Sequence, residues 1–382
     1  MALKARQILT LLSEWPHRGV GSDEEMEARE MLMAHLTGEI GVEVAEEGFF
    51  TPRSYLPFFW AIALSQCFFI AFSGYGSLVM AAGGLMVLIS HMRFFDWRVT
   101  RPIWLLARTT TANLVAKKGA GRRLIILMAH IDSAPASFAY RPEQVPHFKT
   151  SVYLSTGIIS LGFLVPLASL SGLDVPWFIK APIILLTIAQ VVMASLDFWR
   201  FGYTPGANDN LTGVAAATEV ASRLWAKMPE GAEVRLVITT AEEAGMLGAQ
   251  HYWEQHHEEL KARDTHVLNF DTVGFGQLSF VLESGGFTPV YYDGALPHAA
   301  HALTKLNKRF AGVKEAKHHV GDFDSVWFCR DGISSLTIAA YDENGMMPYI
   351  HTMEDRAEHL DLDVMDEAVA FGEAIIRTLP KR

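Results

Sequence analysis

The stretch Arg123-Leu124-Ile125-Ile126-Leu127-Met128-Ala129-His130, followed by Ile131-Asp132, decides the fold. Its apolar run shows no alternation, which marks a strand buried on both faces of a sheet covered by helices. Working outward, Glu233 to Thr240, His266 to Asp271 and Ile333 to Ala340 have the same character. Asn210 to Met228 carries an apolar stripe at helical spacing, and Val364 to Leu379 reads as a terminal helix. Ser22-Asp23-Glu24-Glu25 reads as a capping box before a helix running to about Leu36. Alternating strands and helices predict an α/β domain, with a mostly parallel mixed sheet and helices on both faces.

The chain has 382 residues, 50% of them hydrophobic and 19% charged, so it is too apolar for a disordered chain or a coiled coil. Lys and Arg number 32 against 42 Asp and Glu, with no basic run, so nucleic acid is not expected as a partner. Cys67 and Cys329 are far apart, which argues against a disulfide framework or a cysteine-based zinc site. Met1 to Gln7 lacks the apolar core of a signal peptide.

The apolar excess sits in two blocks. Residues 55–92 contain no Asp, Glu, Lys or Arg and are broken near the middle by Gly74-Tyr75-Gly76. Residues 151–196 are interrupted only around Asp174-Val175-Pro176 and Lys180. Each block reads as a hairpin of two apolar helices, close to the ~20 residues needed to cross ~30 Å of hydrocarbon. Membrane lipid is therefore an expected partner of four helices, with Trp60, Trp177, Phe178, Phe198 and Trp199 at the interfaces. Both hairpins return to one side. Arg53, Arg93, Arg98, Arg101, Lys149 and Arg200 flank that side, against Lys180 alone on the other. The positive-inside rule then predicts an integral membrane protein whose bulk faces the cytoplasm. Residues 1–54, 93–150 and 197–382 are left to form one discontinuous domain.

The chemistry-bearing residues fall at strand ends, where such sheets gather ligands. In order they are His130-Ile131-Asp132, Gly206-Ala207-Asn208-Asp209-Asn210 opening a helix, Ala241-Glu242-Glu243-Ala244-Gly245, Asp271, and Pro348-Tyr349-Ile350-His351-Thr352. A two-residue period turns His130 and Asp132 the same way, so Asp132 is placed to orient the imidazole. Adjacent carboxylates after an apolar strand are costly without a compensating cation. A His, Asp and Glu set without Cys suits one or two divalent ions. His318-His319 reads as a solvated loop. Met346-Met347 suits either a pocket wall or core filling.

This ordered set resembles the M28 family of zinc metallopeptidases, which includes co-catalytic di-zinc aminopeptidases, and Asp324 matches an acidic position of the family's late segment. The resemblance implies two zinc ions, with Asp209 bridging them. His130 and Asp271 would complete one site, and Glu243 and His351 the other. Glu242 would be the general base on the shared water, with Asp132 behind the centre. The implied activity is removal of N-terminal residues from peptides. A glutaminyl-cyclase-like or carboxypeptidase-like relative is the alternative, and metal stoichiometry separates the cyclase reading. The chain departs from the family in two places. The second apolar block stands between Asp132 and Asp209, where a short loop is usual. Ile350 precedes His351 where many relatives carry an oxyanion-stabilising tyrosine, and Tyr349 stands one residue off.

Overall fold

A computed structural model describes residues 4–75, 78–96 and 109–380. Gly76, Arg98 and Arg101, used above to place the hairpins, lie outside the described residues. The strands are β1 (Val44–Thr51), β2 (Thr109–Gly119), β3 (Arg123–His130), β4 (Ala232–Thr239), β5 (Asp264–Phe270), β6 (Gln277–Ser284), β7 (Val290–Tyr291), β8 (Lys314–Lys317) and β9 (Ser334–Tyr341). The helices are α1 (Ala5–Leu12), α2 (Asp23–His35), α3 (Leu56–Ala71), α4 (Leu78–Phe95), α5 (Phe148–Leu170), α6 (Trp177–Phe201), α7 (Gly213–Ala226), α8 (Leu247–Ala262), α9 (Ala295–Leu306), α10 (Val326–Arg330) and α11 (Leu362–Thr378).

One mixed sheet runs β1-β2-β4-β3-β5-β9-β6-β7, with β8 beside β6. Its centre, β4-β3-β5-β9, is parallel. The flanking pairs β1–β2, β2–β4, β9–β6 and β6–β7 are antiparallel. Strand alternation divides β3 between two cores. Ile125, Leu127 and Ala129 pack with α1, α7 and α11, while Leu124, Ile126 and Met128 pack with Tyr252 of α8 and Phe328 of α10. The uninterrupted apolar run of β3 thus serves both faces of the sheet. Helix α7 lies against β3 and is enclosed by other elements as well, so that Ala215, Ala216 and Ala217, on different sides of it, are all fully buried.

Ser22 caps α2 by accepting the Glu25 N–H at 3.1 Å. Glu25 does not close the box on Ser22. Its carboxylate turns inward to the Gly21 N–H, Arg29, Thr111 and Thr240, because those buried donors need an acceptor.

The apolar helices pack as a bundle, α3 against α4, α5 and α6, and α5 against α4 and α6. Among the described residues, α4, α5 and α6 are long and apolar enough to cross a membrane, while α3 has 16 residues. Helices α4 and α6 continue to Phe95 and Phe201, past the limits of 92 and 196 read from apolar composition. The extension of α6 carries Asp197, which stays helical and buried because Arg141 forks onto it at 2.9 and 2.5 Å. Large apolar side chains such as Leu78, Met86, Phe178 and Leu185 are exposed on the bundle. Some polar groups inside it pair between helices: Gln66 donates to the Ile159 carbonyl at 2.8 Å and the Trp60 indole to Ser195 at 3.1 Å. The α5–α6 insertion closes at its base, where Thr204 N–H donates to Ala134 O (2.8 Å) and Ala136 N–H to Gly202 O (3.0 Å).

Candidate metal centre

The parallel strands deliver His130, Glu242, Glu243 and Asp271 to one edge of the sheet, each at or just past a carboxyl end. His351 reaches the same place from the loop after β9, and Asp209 from the turn before α7. His130, Asp209 and Asp271 bring ligand atoms within 4.8 Å of one another, as do Asp209, Glu243 and His351. Asp209 is common to both groups. Its Oδ1 is 3.2 Å from His130 Nε2 and its Oδ2 is 3.4 Å from His351 Nε2. Asp271 Oδ2 lies 3.6 Å from His130 Nε2, and Glu243 Oε2 lies 3.2 Å from His351 Nε2.

Hydrogen bonds from neighbouring residues hold His130, Glu243 and Asp209 in place. The His130 Nδ1–H donates to the Asp132 carbonyl oxygen at 3.1 Å, which leaves the Nε2 lone pair facing Asp209 and Asp271. The Asp132 carboxylate sits 3.5 Å from the same nitrogen, and its oxygens accept the backbone N–H groups of Glu242 and Glu243 at 3.2 and 3.1 Å. Asp132 therefore positions both the imidazole and the double-glutamate turn. The Asp209 turn is fastened by Asp355, whose carboxylate accepts from Asn208 N–H (2.6 Å) and Asp209 N–H (3.0 Å). The Asn210 amide bonds Phe270 O, Thr272 N–H and Gly213 N–H, tying this turn to the end of β5. Gly213 is obligatory: a Cβ there would lie 2.1 Å from Asn210 Oδ1 and 2.3 Å from Phe270 O. The fully buried Arg18 donates to the carbonyls of Ile131, Pro205 and Gly206, lacing β3 to the turn. Ala241, Thr272 and His351 hold φ of 56°, 53° and 56°, left-handed conformations that cost energy in non-glycine residues and cluster at functional sites.

The charge balance is the site's main feature. Burial, reinforced by Asp209, raises the Glu243 carboxyl well above the usual range. Burial likewise raises Glu242 and pushes Asp271 up to about 7. Burial disfavours charge on Asp209 too, but the two imidazoles at its oxygens outweigh it and hold its carboxyl low. Burial opposes the His130 imidazolium, yet Asp132 and Asp209 raise it. Glu243 Oε1 and His351 Nδ1 are buried without hydrogen-bond partners. Two imidazole nitrogens facing carboxylates, with an orphaned carboxylate oxygen beside them, fit divalent cations between the facing atoms.

Other residues fall differently from the sequence reading. His318 is buried, with its ring 4.6 Å from that of Phe323, and both His318 and His319 line the cavity above the centre. His318 is not solvated, because the chain folds back here onto β6, where its N–H bonds Glu283 O, while His319 is partly exposed. Met347 both lines the cavity and joins a buried cluster. Tyr349 turns toward Phe275 and His359, at centroid distances of 5.8 and 5.0 Å, and is not in the cavity wall. Tyr140, unremarked in the sequence, stacks on the His351 ring at 4.0 Å and lines the cavity with Tyr55. Asp324 is buried beneath the centre and accepts the Thr239 hydroxyl.

Residues 188–375 match the model of peptidase family M28, a span that contains Asp209, Glu242, Glu243, Asp271 and His351. Aminopeptidase YwaD of Bacillus subtilis is 27% identical over 199 residues, covering 52% of this chain and 41% of that protein. The chain thus spans about two fifths of that relative's length. Among solved structures, the zinc aminopeptidase BSAP from Bacillus subtilis aligns with a TM-score of 0.57 at 15% identity, covering 98% of this chain and 94% of that one. The Porphyromonas gingivalis glutaminyl cyclase aligns with a TM-score of 0.57 at 15% identity, covering 98% of each. These structures share the fold.

Proposed function

We propose that this chain, a member of peptidase family M28, is a membrane-anchored zinc aminopeptidase that removes N-terminal residues from peptides. The observation that carries this reading is the pair of ligand groups joined through Asp209. His130, Asp209 and Asp271 would hold one ion, and Asp209, Glu243 and His351 the other. Zinc bound there polarises the scissile carbonyl and lowers the pKa of the attacking water. Glu242 lines the cavity beside Glu243 and is assigned as the base that takes the water's proton and returns it to the departing amine. Asp132 fixes the reach of both glutamates through their backbone. Two ligand groups favour this reading over a single-zinc cyclase on the same fold.

The anchor would be the bundle α3–α6, with α4, α5 and α6 as spans and the residues outside these helices as the peptidase domain. Arg53, Arg93, Lys149 and Arg200 stand on the domain side of the helices, which favours a cytoplasmic catalytic face.

Zinc analysis of the purified chain, paired with N-terminally blocked and free peptides, tests the assignment. We expect two zinc per chain and release of amino acids from free peptides alone. Glu242→Gln should keep its zinc and lose turnover by about 10²–10⁴-fold. Unaltered turnover in that variant would remove Glu242 from the reaction.

A further inference from the structure

One cavity of about 500 Å³ joins the candidate centre to the interior of the helical bundle. At one end it is walled by His130, Asp209, Glu243 and His351; beyond Tyr55 and Tyr140 it continues between Ala63 of α3, Ile159 of α5 and Leu186 to Ala194 of α6. Eight residues of helix rise about 12 Å, deeper than any one amino-acid side chain reaches. Leu186 and Met193 line this chamber and are still 52% and 42% exposed, so it communicates with the outer surface of the bundle. A largely apolar pocket with a few placed polar groups is the usual form of a ligand site. Because the chamber is continuous with the ligand groups of the candidate centre, a peptide whose N-terminal bond lies at that centre places its following residues along this wall.

We infer that the chamber receives a hydrophobic peptide segment, so that the substrates are peptides carrying about three or four apolar residues beyond the bond to be cut, the length that ~12 Å of extended chain spans. This rests on the aminopeptidase reading and adds to it the part of the substrate that lies against the helices. The metal centre takes the N-terminal amide, while α3, α5 and α6 take the apolar continuation. The helical insertion is then a wall of the binding site as well as an anchor.

The test compares kcat/KM for Ala-Leu-Leu-Leu-amide and Ala-Ser-Ser-Ser-amide, using the full-length zinc-loaded chain in phosphatidylcholine nanodiscs. The expected ratio is at least about 30-fold in favour of the leucine peptide, since a single methylene in an apolar pocket is worth about 10–200-fold. Ala63→Trp and Ala194→Trp fill the chamber from two different helices, and either should bring the ratio below about threefold. Peptide partitioning into the bilayer is the same for every variant, so a falling ratio reports the chamber. A wild-type ratio near one, or one that neither filling variant moves, overturns the inference and leaves the peptidase reading intact. Failure of the wild type to cleave either peptide overturns the peptidase reading and this inference with it.

Discussion

Asp132 holds Glu243 by its backbone: the Glu243 N–H donates to Asp132 Oδ2 at 3.1 Å, beneath the carboxylate that faces His351. The same aspartate takes the Glu242 N–H and, through its own carbonyl, the His130 Nδ1–H. One residue thereby sets the orientation of three others. Asp132→Asn keeps the size but turns one acceptor oxygen into a donor against those N–H groups. Loss of a ligand-orienting partner typically costs about 10–100-fold in metal affinity. Competition with a chromophoric chelator should show that weakening in Asp132→Asn, and wild-type zinc affinity would deny Asp132 this role.

Asp355 supports a prediction about the turn instead of the sheet. Asp355→Ala leaves the N–H groups of Asn208 and Asp209 buried and unpaired, at about 1–3 kcal/mol each. Thermal unfolding should show a lower Tm, and zinc affinity should fall with it because Asp209 loses its fixed backbone. Asp355→Asn, which keeps an acceptor oxygen, should recover part of both. Equal behaviour of the two variants would mean that the carboxylate is not what holds the turn.

Metal removal should destabilise the chain. Without a cation, Glu242, Glu243 and Asp271 sit in a cavity whose burial already disfavours their charged forms. A ligand that binds only the folded state stabilises it by about 2.7 kcal/mol at a hundredfold excess over Kd. Chelation should therefore lower Tm by a few degrees, and zinc should restore it. Identical melting curves with and without chelator would argue against the cation-compensated centre.

Away from the centre, Arg235 on β4 hydrogen-bonds Glu259 of α8 and holds its carboxyl down at about 2, with Arg263 contributing. A carboxyl lowered on folding adds stability above its unfolded value near 4.5, and that stability is lost as pH falls toward 2. Glu259 is partly exposed, so solvent screening reduces its worth to roughly 1 kcal/mol. Glu259→Gln should lower Tm at pH 7, and its gap to the wild type should close between about pH 5 and 2. A gap independent of pH would deny the ion pair its role.

The parallel centre of the sheet was legible because β3, β4, β5 and β9 are buried on both faces, so their apolar runs owe nothing to local context. His130, Asp132, Glu242, Glu243 and Asp271 stood out because charge at or just past the end of such a run is costly, and Asp209 because it sits in a glycine-led turn that opens a helix. Asp355 was illegible. It sits in Met353-Glu354-Asp355-Arg356, where nothing local separates a buried acceptor from an exposed acid. Arg18 was missed for the same reason, since its partners are carbonyls supplied by segments distant in sequence. The antiparallel strands β1 and β2 carry too many polar residues for an apolar-run criterion. His318 looked solvated because adjacent histidines are polar, whereas its burial depends on the return of β8 to β6.

The clasp between Ala134–Ala136 and Gly202–Thr204 gives the long second hairpin a narrow neck. Chain that departs from a scaffold and rejoins it at one doorway leaves the distance between the flanking residues unchanged, however far it travels outside. Asp132 and Asp209 keep their neighbourly spacing although dozens of residues intervene. An appendage on so short a tether can be lengthened, trimmed or exchanged without asking the sheet beneath to move.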